Sequence, residues 1–151
     1  MSEMENILEE SAVFSRMTTE GKQRLAGTAT KRRIQEGEVL AQAGEPASFF
    51  FVTGSGTLLL SMAEERALVL KTPGDFIAME LLSDEGVYKS TVTALCDGFV
   101  YVLDRGTFLE MIREDSADAG EVVRAWRNYL EQTAPFVKKY EYIADGFEYA
   151  Y

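Results

Sequence analysis

Between residues 31 and 62 the chain reads KRRIQEGEVLAQAGEPASFFFVTGSGTLLLSM, a set of short apolar segments cut apart by Gly37, Gly44, Gly54 and Gly56, with Pro46 following Gly44-Glu45. A helix does not persist through such spacing, because each interior glycine costs about 1 kcal/mol relative to alanine and proline removes a backbone donor. Short strands joined by turns do persist, and this rhythm is that of an antiparallel sandwich or barrel. Further strands are expected at 66–72 (RALVLKT), 90–95 (STVTAL) and 99–104 (FVYVLD). In the last, Val100 and Val102 oppose Phe99, Tyr101 and Leu103, so both faces are apolar and the strand is expected to be buried on both sides or covered by a helix.

Helical patterns flank this centre. Residues 4–30 read as helix with a break: Ile7 and Leu8 belong to the first part, Phe14 and Met17 to the connection. Thr18 is placed to cap the second part, which carries Leu25, Ala26 and Ala29, although Gly21 and Gly27 weaken it. After the strands, Asp104 stands before RGTFLEMIRED as a cap, with Phe108, Leu109 and Ile112 on one side. In AGEVVRAWRNYLEQTAP, Val122, Trp126, Tyr129 and Thr133 form a stripe with Val123 and Leu130 beside it, ended by Pro135. The residues predict an α+β fold, a small β-barrel or jelly roll flanked by N-terminal and C-terminal helices. One core is expected from 151 residues of which 46% are hydrophobic. The domain is placed at 1–134 and an aromatic tail at 135–151. Six of the final 16 residues, FVKKYEYIADGFEYAY, are aromatic, so the tail is expected to pack on the domain or on a partner.

Composition excludes several functions. Fifteen Lys plus Arg against 25 Asp plus Glu give a formal charge of −10, which repels nucleic acid and anionic lipid alike. No direct nucleic-acid or membrane partner is expected. The chain has no histidine, the commonest general base and metal ligand, so neither catalytic nor metal residues are assigned. Cys96 is alone, so no intramolecular disulfide forms; it reads as a small core residue. The acidic start MSEMENILEE does not resemble a signal peptide, and with no long apolar run the expected location is cytoplasmic. Glu64-Glu65, Asp84-Glu85 and Asp115 with Asp118 lack calcium-loop spacing and read as solvated turns. Lys71, Lys89 and Arg66 read as solubilising charges.

Taken in order, these segments resemble cyclic nucleotide-binding domains. The first half of the likeness is carried by Gly37, Gly44, Pro46, Phe50, Phe51 and Gly56. The second is GDFIAMELLSDEGVYKSTVTAL, similar to the family's phosphate-binding cassette through Gly74, Asp75, Phe76, Leu82, Thr91, Val92 and Leu95. The resemblance covers roughly residues 7–133 and implies a double-stranded β-helix, or jelly roll, of cyclic nucleotide-binding type. In that family a short helix turns its amides to the phosphate, a Glu takes the ribose hydroxyl and an Arg pairs with the phosphate oxygens.

The resemblance assigns Gly74, Asp75, Phe76, Ile77, Ala78, Met79, Glu80, Leu81, Leu82, Tyr88, Lys89, Ser90 and Thr91 to the candidate cassette. Aligned without gaps, the family's Gly-Glu pair falls on Ala78-Met79 and its Arg on Tyr88; a one-residue slide instead brings Glu80 and Lys89 into those places. Two lost charge-assisted contacts weaken anion binding by roughly two to four decades. Either the frame keeps a pocket for some ligand, or Ile77, Met79, Leu81 and Leu82 fill it. No cofactor is assigned, and a cyclic nucleotide or another small anion is the candidate ligand. The implied function is a non-enzymatic regulatory or sensor domain with weak, altered or lost cyclic nucleotide binding. The alternative is a protein-interaction or assembly module using the C-terminal helix and aromatic tail. Val122, Trp126, Tyr129 and Leu130 are the candidate interface, because the corresponding helix is a dimer seam in the bacterial regulators, which implies a homodimer. Those regulators continue into a basic helix-turn-helix, which the 16 residues after Pro135 do not form. A cupin-type enzyme, built on a similar roll, requires histidine ligands that are absent.

Overall fold

The computed structural model describes residues 2–62, 66–77, 87–88, 90–114 and 116–133, and only the backbone for Met62, Arg66, Ile112 and several positions of the last helix. Helix α1 (Glu3–Glu10) starts at Ser2, whose hydroxyl accepts from the Glu5 amide at 3.2 Å. A connection over 11–17 buries Val13, Phe14 and Met17. Thr18 then caps α2 (Thr19–Thr28), its hydroxyl accepting from the Gly21 amide at 3.0 Å. The expected break and cap are both present.

Among the described residues eight strands follow: β1 (Thr30–Ile34), β2 (Val39–Ala41), β3 (Phe49–Ser55), β4 (Leu58–Met62), β5 (Arg66–Leu70), β6 (Phe76–Ile77), β7 (Thr91–Ala94) and β8 (Gly98–Asp104). They form two four-stranded sheets in the orders β1-β8-β3-β6 and β2-β7-β4-β5, with every pairing antiparallel. Helices α3 (Arg105–Glu114) and α4 (Ser116–Thr133) complete the described chain. No helix among the described residues is long and apolar enough to cross a membrane.

Strand alternation sorts the first sheet into two faces. Phe50, Val52, Tyr101 and Leu103 turn toward the helices, while Phe51, Thr53, Val100 and Val102 turn toward the second sheet. Beneath the helices, Phe50 meets Phe76 and Phe108 edge-on at 5.4 and 4.8 Å, and Phe14 reaches Phe76 at 4.9 Å. Such edge-to-face pairs add about 0.5–1.5 kcal/mol each beyond the area they bury. On the second sheet, Leu58 stands opposite Ala94 and Leu60 opposite Val92, all four buried. Strand β8 is therefore apolar on both faces because it lies between the helices and the other sheet.

Two expectations are corrected. Cys96 is exposed, because it lies in the tight turn joining β7 to β8 and not in the strand that precedes it. Asp118 is not a solvated turn residue: it is 5% exposed, and its carboxylate accepts from the Thr18 amide at 2.9 Å and the Thr18 hydroxyl at 2.8 Å. The buried carboxylate thus holds α4 to the start of α2. Glu64-Glu65, Asp84-Glu85 and Asp115 lie outside the described residues.

Candidate functional site

The cassette begins on one sheet and ends on the other. Strand β6 pairs with β3 through Phe51 opposite Ile77 and Val52 opposite Phe76, whereas β7 pairs with β2 and β4. Ala78, Met79, Glu80, Leu81, Leu82 and Lys89 lie outside the described residues, while Gly74, Asp75, Phe76, Ile77, Tyr88, Ser90 and Thr91 are described.

The leading turn is held from both sides. Gly74 has φ +92°, a conformation that side-chain-bearing residues rarely adopt. Its carbonyl accepts from the Ser11 hydroxyl at 2.7 Å, and Ser11 Oγ in turn accepts from the amides of Val13 and Phe14. A Cβ on Gly74 would come within 2.7 Å of Ser11 Cβ, so the closeness itself requires glycine. On the other side, Thr53 Oγ1 donates to the Thr72 carbonyl at 2.7 Å and accepts from the Asp75 amide at 2.9 Å. The buried Asp75 carboxylate accepts from the Thr72 amide at 3.3 Å. Asp75 closes the turn that launches β6, a structural use of its charge. Phe76 and Ile77 are buried in the core.

At the far end Tyr88 is the organising residue. It is 9% exposed; its phenol donates to the Phe49 carbonyl at 3.0 Å and accepts from the Phe49 amide at 3.3 Å. Its own amide donates to Glu45 O at 2.9 Å, and its carbonyl accepts from Gly44 N at 2.7 Å, beside a bridge between Pro46 and Val87. The Thr91 hydroxyl accepts from Ala43 N at 3.1 Å, and Ser90 is buried. The cassette's end is thereby stitched to the loop between β2 and β3. A tyrosine here offers a brace where the ungapped alignment puts a guanidinium.

The remaining expected residues fall differently. Val122 is 3% exposed and lines a small cavity with Met17, Phe108 and Met111, so it belongs to this chain's own core. Trp126, Tyr129 and Leu130 lie on α4, with side chains outside the described residues. Lys71 is exposed, and no group of three or more Cys, Asp or Glu suited to a metal occurs among the described residues. Sequence reasoning missed Ser11 and Thr53, which have no local signature because they act on a turn 63 and 22 residues away.

Beside Tyr88 an open groove of about 700 Å³ lies between β1 and β2. Thr30, Arg32, Phe51 and Val102 line one wall, Val39 to Gln42 the other, and Glu45, Pro46, Ser48, Phe49 and Tyr88 the end. Arg32 is ion-paired with Glu38.

The family model described as Cyclic nucleotide-binding domain matches residues 31–115, more than half of the chain. An uncharacterised NTE family protein of Mycobacterium bovis is 30% identical over 114 residues, 75% of this chain and 19% of its own length. A cAMP-dependent protein kinase regulatory subunit of Hypocrea atroviridis is 26% identical over 108 residues, 72% of this chain and 23% of its own. The chain thus spans about a fifth of the length of these relatives. Among solved structures, the sensor domain of the transcriptional regulator DNR from Pseudomonas aeruginosa superposes with a TM-score of 0.67 at 17% identity, covering 86% of this chain and 92% of that one.

Proposed function

Because the chain belongs to the cyclic nucleotide-binding domain family, we propose that it is a non-enzymatic regulatory or sensor module whose cassette keeps the family's frame but has lost strong pairing to a cyclic phosphate. One observation carries this reading: Tyr88, at the ungapped position of the family's Arg, donates its only hydroxyl proton to the Phe49 carbonyl. It supplies neither a positive charge nor a free donor to a phosphate. The leading turn, by contrast, is held by Ser11 and Thr53 as a rigid support, which favours a retained cassette put to altered use. The ligand it suits is a small molecule of lower charge, or a cyclic nucleotide bound weakly.

Titration calorimetry of the purified chain with cyclic AMP and cyclic GMP tests the proposal. Dissociation constants weaker by roughly two to four decades than those of a site with both polar contacts are expected. Sub-micromolar binding of either nucleotide sinks it.

A further inference from the structure

Helix α3 packs on β8 of the first sheet, whereas the outer face of the second sheet is uncovered among the described residues: Val39 is 47%, Val69 52% and Leu95 42% exposed. Leu58, Leu60, Leu70, Val92 and Ala94 are buried on its inner face, so alternation turns Thr57, Leu59, Val69, Thr93 and Leu95 outward. Register sets four side chains in one row across the sheet, with Val39 opposite Thr93, Thr93 opposite Leu59 and Leu59 opposite Val69. Such cross-strand partners share a face and touch. Leu95, whose amide donates to the Thr57 carbonyl at 2.8 Å, widens the patch along the strands. None of these residues is charged, although 26% of the chain is and its net charge is −10. Lys71, just past the end of β5, is the cation that alternation places at the corner of this face.

We propose that this face docks a second copy of the chain, sheet on sheet, about a two-fold axis that runs along the strands between β7 and β4. Two observations select a second copy as the occupant. The row has a valine at each end, and the two-fold axis reverses it, so Val39 of one copy meets Val69 of the other while Thr93 meets Leu59. Carboxylates of two acidic chains repel wherever they are brought face to face, and the row opposes none. Four strands about 4.8 Å apart and about 17 Å long give a face of roughly 300 Å². A stable complex buries about 800 Å² per partner, so the dimer is reversible and forms at high concentration. The seam uses neither the cassette's leading turn nor α4, and it serves assembly independently of ligand binding.

Sedimentation of the full-length chain provides the test, with the average mass expected to rise from monomer toward dimer between about 20 µM and about 1 mM. Val39→Glu and Val69→Lys, both at exposed positions that leave the unfolding midpoint unchanged, are each expected to raise the half-association concentration by at least about tenfold. Val69→Lys lowers the net negative charge, so its weakening cannot come from general repulsion. Val39→Glu combined with Val69→Lys sets opposite charges against each other across the reversed row and is expected to return association to within about threefold of wild type. A chain that stays monomeric throughout overturns the proposal. So does a dimer that neither substitution weakens, which uses another surface, and so does a double variant no better than the single ones, which excludes the valine-to-valine register.

Discussion

Tyr88 shows how one residue redirects an inherited loop. Its phenol bonds to both backbone groups of Phe49, the first residue of β3, so the ring is a brace between the cassette's end and the first sheet. Tyr88→Phe keeps the ring and removes both bonds, and is expected to lower unfolding stability by about 1–2 kcal/mol in urea titration. An unchanged midpoint would mean that the hydroxyl is better read as available to a ligand. The residue's identity was legible in the sequence, as was its place in the alignment. Its partner was not, because Phe49 lies 39 positions away and nothing in the pattern FFFV marks a carbonyl waiting for a phenol.

At the level of elements, caps and turns were the most readable features because their chemistry is local. Thr18 and Asp104 were assigned as caps from their positions, and both cap: Thr18 accepts from Gly21 N, and Asp104 Oδ1 accepts from Thr107 N at 2.9 Å and Thr107 Oγ1 at 3.1 Å. The bonds from the Thr107 amide and hydroxyl hold the Asp104 carboxyl below its usual range. A folded pKa below the unfolded one means that the folded chain binds fewer protons in acid. The cap's charge-dependent stabilisation is thus complete above the unfolded value of about pH 4 and is lost as pH falls through the folded value. Wild type is therefore expected to exceed Asp104→Asn in thermal stability by a constant margin at neutral pH, and the margin should close on acidification below about pH 4. A margin that widens in acid would contradict the assigned cause. Cys96 marks the limit of such reasoning, since moving one or two residues past a strand end exchanges core for solvent.

For the whole molecule, the contact between Asp118 and Thr18 joins segments 100 residues apart and fixes the last described helix to the first helical layer. Asp118→Ala removes the acceptor of the two part-buried bonds from the Thr18 amide and hydroxyl and is expected to cost about 1–3 kcal/mol. A Cβ on Gly21 would collide with the same carboxylate, so Gly21→Ala should be harmful in wild type and much less so beside Asp118→Ala. Additive effects in that double-mutant cycle would exclude the contact as the cause. The sequence by itself determined the helix–strands–helix order, the turn positions and the family likeness, because apolar periodicity, glycine spacing and capping act over a few residues. Only the tertiary structure decided that Asp118 is a buried tie, that Ser11 and Thr53 clamp the cassette's first turn, that Tyr88 is a brace, and that β1 borders an uncovered groove. Each of these depends on which distant groups the packed sheets and helices bring together, and that proximity is set by packing, which no local pattern encodes.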